Sequence, residues 1–306
     1  MRKEFSTYIE KIATQQQDIV FITGDLGYNA LENLADAMGN RFINAGVAEQ
    51  NMIGVAAGMA YKGYKVICYS IAPFVVYRCL EQVRNDVCFH NLPVYIVGNG
   101  GGYGYGIMGS SHHCIEDIAC FSGLPNMKCY VPAFVEDLDA CLTDMFDRKK
   151  PAYLRLGLGK NRPDFLLPTP FGAASKLSAH SGLTIVAQSP VANNIVAALA
   201  GNSNQHCVDL FIIDHMPFTT LPDTLAQSIQ NSSNVLVIEE HIATGGLGQA
   251  LSTLIHTTSL PVHRYVHLFA AGYPDGLYGS QSFHQQVSRL DENSISQTIN
   301  SFFQPL

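Results

Sequence analysis

The sequence has few charged residues, and its charge balance excludes several classes of partner. Only 14% of the 306 residues are charged, tryptophan is absent, and 18 lysine and arginine residues face 25 aspartate and glutamate residues, for a formal net charge of −7. Nucleic acids and anionic membrane surfaces attract proteins with surplus positive charge. We therefore expect neither a nucleic acid nor a membrane as a partner.

No hydrophobic run is long enough to cross a membrane. The longest nearly apolar segment, residues 66–77, contains Pro73 and is shorter than the ~20 residues that span a bilayer. The first residues mix charges of both signs and lack the apolar stretch of a secretory signal. These absences predict a cytoplasmic protein.

A disulfide framework and a zinc knuckle are also missing. The eight cysteines form no C-x-x-C pair and mostly stand among apolar residues, as in VICYS around Cys68 and DIACF around Cys120. Such cysteines are typical of reduced thiols in the core of a large domain. Glu239, Glu240 and His241 are too close in sequence and too few for a metal site, so we expect no metal ligands in this chain.

Apolar residues make up 47% of the chain, and many of them lie in short β-branched runs separated by helical patterns. This alternation is typical of βαβ units around a parallel sheet. We predict an α/β protein with two doubly wound domains, residues 1–160 and a smaller one at 182–306, joined by a Gly/Pro/Ser-rich linker at 161–181. The predicted strands are residues 19–23, 42–45, 65–71, 94–98, 128–132 and 152–156 in the first domain, and 183–187, 206–214, 234–240 and 262–266 in the second.

A glycine-rich loop follows the predicted strand at 94–98. Gly104, Gly106 and Gly109 match G-x-G-x-x-G. A dinucleotide-binding fingerprint, however, needs this motif after the first strand, with an acidic residue about 20 positions later. Two interpretations remain, namely a mobile surface loop or a loop whose backbone comes close to a substrate.

Ser110, Ser111, His112 and His113 follow this loop and precede a helical pattern. A helix N-terminus favours neutral imidazole over the cation, so a histidine here could act as an acid, a base or a hydrogen-bond donor. Two exposed histidines at a helix cap are the plainer interpretation. No G-x-S-x-G motif is present, which argues against a serine hydrolase.

The most informative segment is NAGVAEQNMIGVAAGMAYKG at residues 44–63. Glu49 begins a predicted helix whose glycines and alanines allow very close packing. Taken alone, Glu49 is explained as a first-turn glutamate that the helix dipole stabilises. Its neighbours form part of a pattern that extends over essentially the whole chain.

That pattern consists of six motifs in a fixed order. They are G-D-L-G at 24–27, G-V-A-E-Q at 46–50, Y-S-x-x-P-F at 69–74, G-x-x-H at 109–112, L-P-N-M at 124–127 and E-E-x-x-x-x-G-G-x-G at 239–248. The first five, in this order, resemble the pyrimidine-binding domain of transketolases and 1-deoxyxylulose-5-phosphate synthase, and the sixth is similar to a signature of the C-terminal domain in these enzymes. The resemblance implies a pyrimidine-binding thiamine diphosphate fold followed by a smaller transketolase C-terminal-like domain.

The resemblance also implies which residues bind the cofactor. Glu49 matches the carboxyl group that hydrogen-bonds nitrogen N1′ of thiamine diphosphate. That bond favours the imino tautomer of the cofactor's 4′-amino group, which can then remove the C2 proton. The aminopyrimidine also needs an aromatic stacking partner, for which we expect Phe74, with Tyr77 as the second choice.

The expected substrate contacts follow from the same resemblance. His112 matches the family histidine that hydrogen-bonds substrate oxygens and helps to transfer protons. Arg2, Asp25, Tyr103 and His113 are expected as further substrate contacts. Glu49 and His112 are therefore the expected catalytic residues.

The family's motif for the diphosphate and Mg²⁺, G-D-G followed by a later asparagine, is missing from these residues. Met1 falls where the family's pyrimidine-binding domain begins. We therefore expect a partner chain that supplies the diphosphate-binding domain and holds the Mg²⁺, in an α2β2 heterotetramer.

The expected function is that of a split transketolase subunit, which transfers a two-carbon ketol unit from a ketose to an aldehyde (sugar) acceptor and is active only with its partner. Two other enzymes remain as alternatives, a synthase with a decarboxylated 2-oxo acid as donor and the beta subunit of a 2-oxo acid dehydrogenase. A non-catalytic scaffold or regulatory subunit is the third, and the presence of Glu49 and His112 argues against it.

Three positions depart from the family at the far end of the substrate, where the family binds a terminal phosphate and sugar hydroxyls. The residues found there are Gly100, Leu158 and Met108. Arg2, Arg155 and Lys160 are left to compensate. We expect at least one substrate that is not a simple terminal sugar phosphate, accommodated by a roomy loop at residues 100–106.

Overall fold

The computed structural model describes residues 1–27, 30–178, 181–273 and 278–304. The strands in these ranges are β1 (Ile19–Thr23), β2 (Phe42–Asn44), β3 (Lys65–Ile71), β4 (Val94–Asn99), β5 (Lys128–Tyr130), β6 (Ala152–Leu156), β7 (Leu166–Thr169), β8 (Gly172–Ser175), β9 (Leu183–Ala187), β10 (Val208–Ile213), β11 (His215–Met216), β12 (Asn234–Ile238) and β13 (Arg264–Leu268). The α-helices are α1 (Arg2–Gln15), α2 (Glu32–Met38), α3 (Glu49–Tyr61), α4 (Ala72–Val76), α5 (Leu80–Gln82), α6 (Asp117–Ser122), α7 (Val135–Arg148), α8 (Ala192–Ala200), α9 (Asp223–Ser232), α10 (Leu247–Thr257), α11 (Gln281–Val287) and α12 (Glu292–Ser301).

The first sheet has seven strands in the order β11-β5-β6-β4-β3-β1-β2, and β1 to β6 run parallel. Its central strands are buried on both faces, which explains why they appear in the sequence as continuous apolar runs. Alternate side chains enter two different apolar clusters, as Val66 and Ile67 do in β3, because successive residues of a strand point to opposite faces.

The second sheet has six strands in the order β13-β12-β9-β10-β8-β7. Its four strands β9, β10, β12 and β13 are parallel, whereas β8 pairs antiparallel with β10 and β7 antiparallel with β8. The prediction of two α/β domains is confirmed, with both sheets mixed. Residues 161–181, expected as a linker, contain the β7–β8 hairpin and so also form the edge of this sheet.

A short strand from the second half of the chain belongs to the first sheet. His215 and Met216 of β11 pair antiparallel with Tyr130 and Cys129 of β5, so the second half of the sequence completes the first sheet. The domain boundaries 1–160 and 182–306 remain a prediction. The β7–β8 hairpin lies inside the expected linker, and β11 of the second half pairs with the first sheet, so neither element fits a simple division at the linker.

All eight cysteines are free thiols, and six of them are buried. Burial raises the pKa of the Cys79 and Cys88 thiols to about 12, which keeps them protonated and unreactive. No helix in the described ranges is long and apolar enough to cross a membrane.

Candidate functional site

The loops that follow β1, β3 and β4 lie side by side at one edge of the first sheet, because these strands are parallel neighbours. Ligands of open α/β sheets bind at this carboxyl edge. Most of the site residues predicted from the sequence lie in these loops or at the start of α3. This edge is therefore the candidate functional site.

Glu49 is the first residue of α3 and is only 2% exposed. Ser70, at the end of β3, donates a hydrogen bond from Oγ to Glu49 Oε1 over 3.2 Å, and Arg78 donates from Nη1 to Glu49 Oε2 over 2.6 Å. Gly24 lies beside them, and a Cβ atom there would come within 3.2 Å of the Ser70 hydroxyl. The loop after β1 thus approaches the carboxylate through a residue that has no side chain.

Phe74 and His112 are linked to this carboxylate through Arg78. The guanidinium carbon of Arg78 is 4.9 Å from the centre of the Phe74 ring, so the same arginine contacts the ring and Glu49. The His112 ring meets Phe74 edge-on, with 5.1 Å between ring centres. A carboxylate, an aromatic ring and an imidazole are therefore gathered at one place.

Tyr77, the second candidate for stacking, is engaged elsewhere. Its hydroxyl donates to Glu116 Oε2 over 2.6 Å and accepts from the Glu116 backbone N–H over 3.2 Å. Burial, the largest effect, raises the pKa of Tyr77 well above its ordinary value. The geometry thus favours Phe74 over Tyr77 as the ring beside Glu49.

His113 and Tyr103 do not face the open edge of the sheet. Each is 1% exposed. The Tyr103 hydroxyl donates to the Gly272 carbonyl over 2.8 Å, and the His113 ring packs between Tyr103 and Tyr273. Burial lowers the pKa of His113, and the nearby His284 acts in the same direction. Both residues contact the second half of the chain and remain predicted substrate contacts.

Asp25 and Arg2 lie apart from each other. Asp25 accepts a hydrogen bond from Asn44 Nδ2 over 2.9 Å and lines a small cleft of about 150 Å³. Arg2 lines a separate cavity of about 490 Å³, and its Nε atom is buried with no hydrogen-bond partner among the described residues. Burial raises the pKa of the neighbouring Tyr69, and the Arg2 charge opposes this effect. Asp25 and Arg2 remain predicted substrate contacts.

The glycine loop packs closely against other parts of the chain at its first residues. A Cβ atom at Gly101 would come within 2.2 Å of Arg155 Nε, and one at Gly102 within 2.2 Å of Glu240 Oε1. The backbone N–H of Tyr103 donates to that same Glu240 oxygen over 2.7 Å. The expectation of a roomy loop at 100–106 remains a prediction, since Gly101 and Gly102 pack against buried charged side chains whereas Gly104 and Gly106 line a cavity of about 390 Å³ with Leu158.

Arg155 also cannot compensate for a lost phosphate ligand. It is 4% exposed, its Nε lies 3.1 Å from Asp117 Oδ2, and its Nη2 donates to the carbonyls of Cys114 and Glu240. By contrast, Leu158 and Met108, which stand in place of family substrate-binding residues, are 74% and 52% exposed. These two apolar side chains are free to meet a ligand.

Sequence reasoning missed several residues of this site. Ser70 and Glu116 lie within or beside motifs that were identified through other residues. Arg78 follows Phe74 by about one helical turn, and this spacing could have indicated that the two side chains meet. Tyr273 gave no signal, because it reaches Glu116 across 157 positions of sequence.

The described residues contain no group of three or more His, Cys, Asp or Glu side chains that could hold a metal ion. The residues present fit an aromatic, nitrogen-containing ring, because a buried carboxylate can bind a ring nitrogen and Phe74 offers a stacking surface.

Comparison with known proteins gives consistent matches. The family model described as the transketolase pyrimidine-binding domain matches residues 1–162. One subunit of the apulose-4-phosphate transketolase of Phocaeicola vulgatus is 28% identical over 310 residues, 98% of this chain and 96% of that protein. 1-Deoxy-D-xylulose-5-phosphate synthase 2 of Geobacter sulfurreducens is 29% identical over 308 residues, 97% of this chain but 48% of that protein.

Two solved structures share the fold over 98% of the chain. One, described as a split-gene transketolase in an inactive beta4 tetramer, has a TM-score of 0.79 and 25% identity, and 96% of it is covered. The other, the transketolase of Campylobacter jejuni, has a TM-score of 0.78 and 16% identity, and 46% of it is covered.

Proposed function

We infer the function of this chain from one premise, which is that the chain belongs to the family of the transketolase pyrimidine-binding domain. The chain is the beta-type subunit of a split, thiamine diphosphate-dependent transketolase. It transfers a two-carbon ketol unit from a ketose to an aldehyde acceptor, with the diphosphate-binding domain supplied by a partner chain. Glu49 and His112 are its proposed catalytic residues.

The observation that carries this proposal is the buried Glu49 carboxylate, which Arg78 joins to the Phe74 ring and, through that ring, to His112. Thiamine diphosphate, when bound, supplies the carbon nucleophile for ketol transfer. Glu49 would hydrogen-bond the pyrimidine nitrogen, Phe74 would stack on the pyrimidine ring, and His112 would hold the substrate oxygens and a proton at its imidazole. The hydroxyl of Ser70 would orient the Glu49 carboxylate.

A partner chain is proposed for two reasons. The motif with which the family holds the diphosphate and Mg²⁺, G-D-G with a later asparagine, is missing from these residues. The chain also covers 96% of the split-gene relative but 46% of the C. jejuni transketolase, as expected if the rest of the site lies on a second chain. We propose an α2β2 assembly. The split-gene relative is described as inactive in its beta4 tetramer, in line with this dependence.

Calorimetric titration tests the partner dependence. The isolated chain should bind thiamine diphosphate with Mg²⁺ weakly or not at all, whereas the complex with a chain bearing G-D-G and the later asparagine should bind tightly and turn over. Tight binding by the isolated chain would contradict the proposal. If the complex binds the cofactor but its turnover does not depend on Glu49, the alternative of a non-catalytic scaffold subunit would be favoured.

A synthase is the second candidate, favoured by the 29% identity to 1-deoxy-D-xylulose-5-phosphate synthase over 97% of the chain. The reconstituted complex should consume ketose and aldehyde without pyruvate if it is a transketolase, and should require pyruvate if it is a synthase. The relatives named for apulose 4-phosphate support including phosphorylated and non-phosphorylated acceptors in the assay, since exposed Leu158 and Met108 lack a phosphate-binding charge.

A further inference from the structure

Glu116 joins the helix that carries Phe74 to the second half of the chain. Its carboxylate accepts a hydrogen bond from the Tyr77 hydroxyl at Oε2 over 2.6 Å. The Tyr273 hydroxyl lies 2.7 Å from Oε1 and 2.6 Å from Oε2 of the same carboxylate. One side chain from each half of the protein is thus tied to a single acidic group.

Both tyrosines are suited to be permanent donors. Burial, followed by the hydrogen bond to Glu116, raises the pKa of Tyr273, and burial is also the main cause of the raised pKa of Tyr77. Both hydroxyls therefore keep their protons at neutral pH. A hydroxyl that donates to a carboxylate forms a stronger bond than one between two neutral groups.

The Tyr77 end of this link bears on the candidate site. Tyr77 directly follows α4, three residues after Phe74 and one before Arg78. Its hydroxyl is fixed twice, as donor to the Glu116 carboxylate and as acceptor from the Glu116 backbone. A shift of Tyr77 would therefore move both the ring beside Glu49 and the arginine bound to it.

The segment that carries Tyr273 is held within the second half by Ala271, whose backbone N–H donates to Ser288 Oγ over 3.1 Å, and it also contacts the first half. The carbonyl of the preceding residue, Gly272, accepts from the buried Tyr103 hydroxyl. The Tyr273 ring stacks on His113, with 5.9 Å between ring centres and 8° between ring planes. His113 in turn is the chain neighbour of His112. The same tyrosine thus supports α4 and the loop that carries His112.

We propose that Glu116, bound by Tyr77 and Tyr273, is a positioning residue through which the second half of the chain fixes α4 and Phe74 for cofactor binding. It touches neither cofactor nor substrate. The C-terminal domain would then maintain the cofactor site in addition to packing against it. This inference rests on the proposed function, because it assumes that Phe74 meets the pyrimidine.

The test uses the reconstituted complex and measures its apparent affinity for thiamine diphosphate with Mg²⁺, its kcat and its thermal unfolding temperature. Tyr273→Phe keeps the ring and removes only the hydroxyl. It should weaken cofactor binding by about tenfold, the effect of one hydrogen bond to a charged group. Glu116→Ala should weaken binding further, and Glu116→Gln, which retains an acceptor oxygen, should recover part of the loss.

Tyr265→Phe is the matched control. Tyr265 is a tyrosine of β13 that donates to the Gly248 carbonyl over 2.6 Å, within the second half of the chain. It should lower the unfolding temperature without changing cofactor affinity. If Tyr273→Phe behaves like this control, Glu116 and Tyr273 are only structural and the inference is overturned.

The outcome also separates this inference from the proposed function. If Glu49→Gln abolishes turnover but Tyr273→Phe leaves cofactor affinity unchanged, only the positioning role fails. If the wild-type complex does not bind thiamine diphosphate at all, the proposed function fails and the positioning role fails with it. Non-additive effects of Tyr77→Phe and Tyr273→Phe on affinity are expected, because both act through the same carboxylate.

Discussion

Glu49→Gln removes one negative charge from the candidate site while keeping the size of the side chain. The charge it removes is paired with Arg78, whose side chain is 42% exposed. Arg78 stays in contact with water after the change, so the lost pair contributes about 1 kcal/mol, and the neutral glutamine no longer carries the cost of burying a charge. Glutamine also retains an oxygen for the Ser70 hydroxyl. We therefore expect the free energy of unfolding to fall by no more than about 1 kcal/mol.

The effect on the proposed chemistry should be far larger. A glutamine cannot hold or release a proton at the pyrimidine nitrogen, and general acid–base catalysis contributes typically about 10²–10⁴-fold in rate. Hydrogen–deuterium exchange at C2 of thiamine diphosphate in the reconstituted complex should slow by about that factor. Urea denaturation of the isolated variant measures the first effect, and proton NMR after rapid quenching measures the second.

Glu239→Gln provides a matched control. Glu239 is also a fully buried glutamate, and it accepts from the backbone N–H groups of Leu247 and Gly248 in the first turn of α10. It directly follows β12 of the second sheet, and its partners Leu247, Gly248 and His267 all belong to the second half of the chain. Its replacement should destabilise the fold and leave C2 exchange unchanged. Wild-type exchange in Glu49→Gln would refute the assignment of Glu49 as the activating carboxylate.

Two further predictions concern the glycine loop and the buried histidines. Gly102→Ala should destabilise the fold by roughly 1–3 kcal/mol, because φ is +66° and the new Cβ would meet Glu240. Gly123→Ala, which meets no atom within 4 Å, is the control in thermal unfolding, and equal stability of the two variants would contradict the packed loop. The pKa of His113 is lowered from 6.5 by burial and by His284, so the unfolded chain takes up the proton first as pH falls and stability decreases below about pH 6.5. Urea denaturation from about pH 7 to 5 should show a smaller decrease in His113→Gln, and an unchanged slope would refute this explanation.

The strands of both sheets could be predicted where their sequences are buried apolar runs, as with residues 65–71, which form β3 over the same residues. The β7–β8 hairpin was missed because its strands contain Pro168 and two small alanines at 173–174 rather than β-branched residues. The strand β11 has only two residues, too few for any periodicity. These elements depend on long-range pairing, which local sequence does not record.

The candidate site likewise combines residues that local motifs predicted with contacts that they did not predict. Local motifs identified Glu49 and Phe74, but nothing local revealed that the glycine loop packs on Glu240 or that Tyr273 reaches Glu116. These contacts join residues more than a hundred positions apart. In the sequence these glycines suggest a flexible backbone. In the structure they are positions where the backbone comes close to a charged side chain that is distant in sequence.

Arg78 explains how this chain, which holds part of the proposed cofactor site, keeps a buried carboxylate. An uncompensated charge in the interior costs several kcal/mol, yet Glu49 is 2% exposed and its other side-chain partner, Ser70, is uncharged. Arg78 compensates the charge at Oε2 over 2.6 Å, while among the described residues Oε1 accepts the longer 3.2 Å bond from Ser70. A pyrimidine nitrogen that carries a proton can therefore donate to Oε1 while the ion pair at Oε2 stays intact. The arginine thus stabilises the carboxylate in the free chain and leaves one oxygen for the ligand, a division of roles that requires both oxygens to stay fixed.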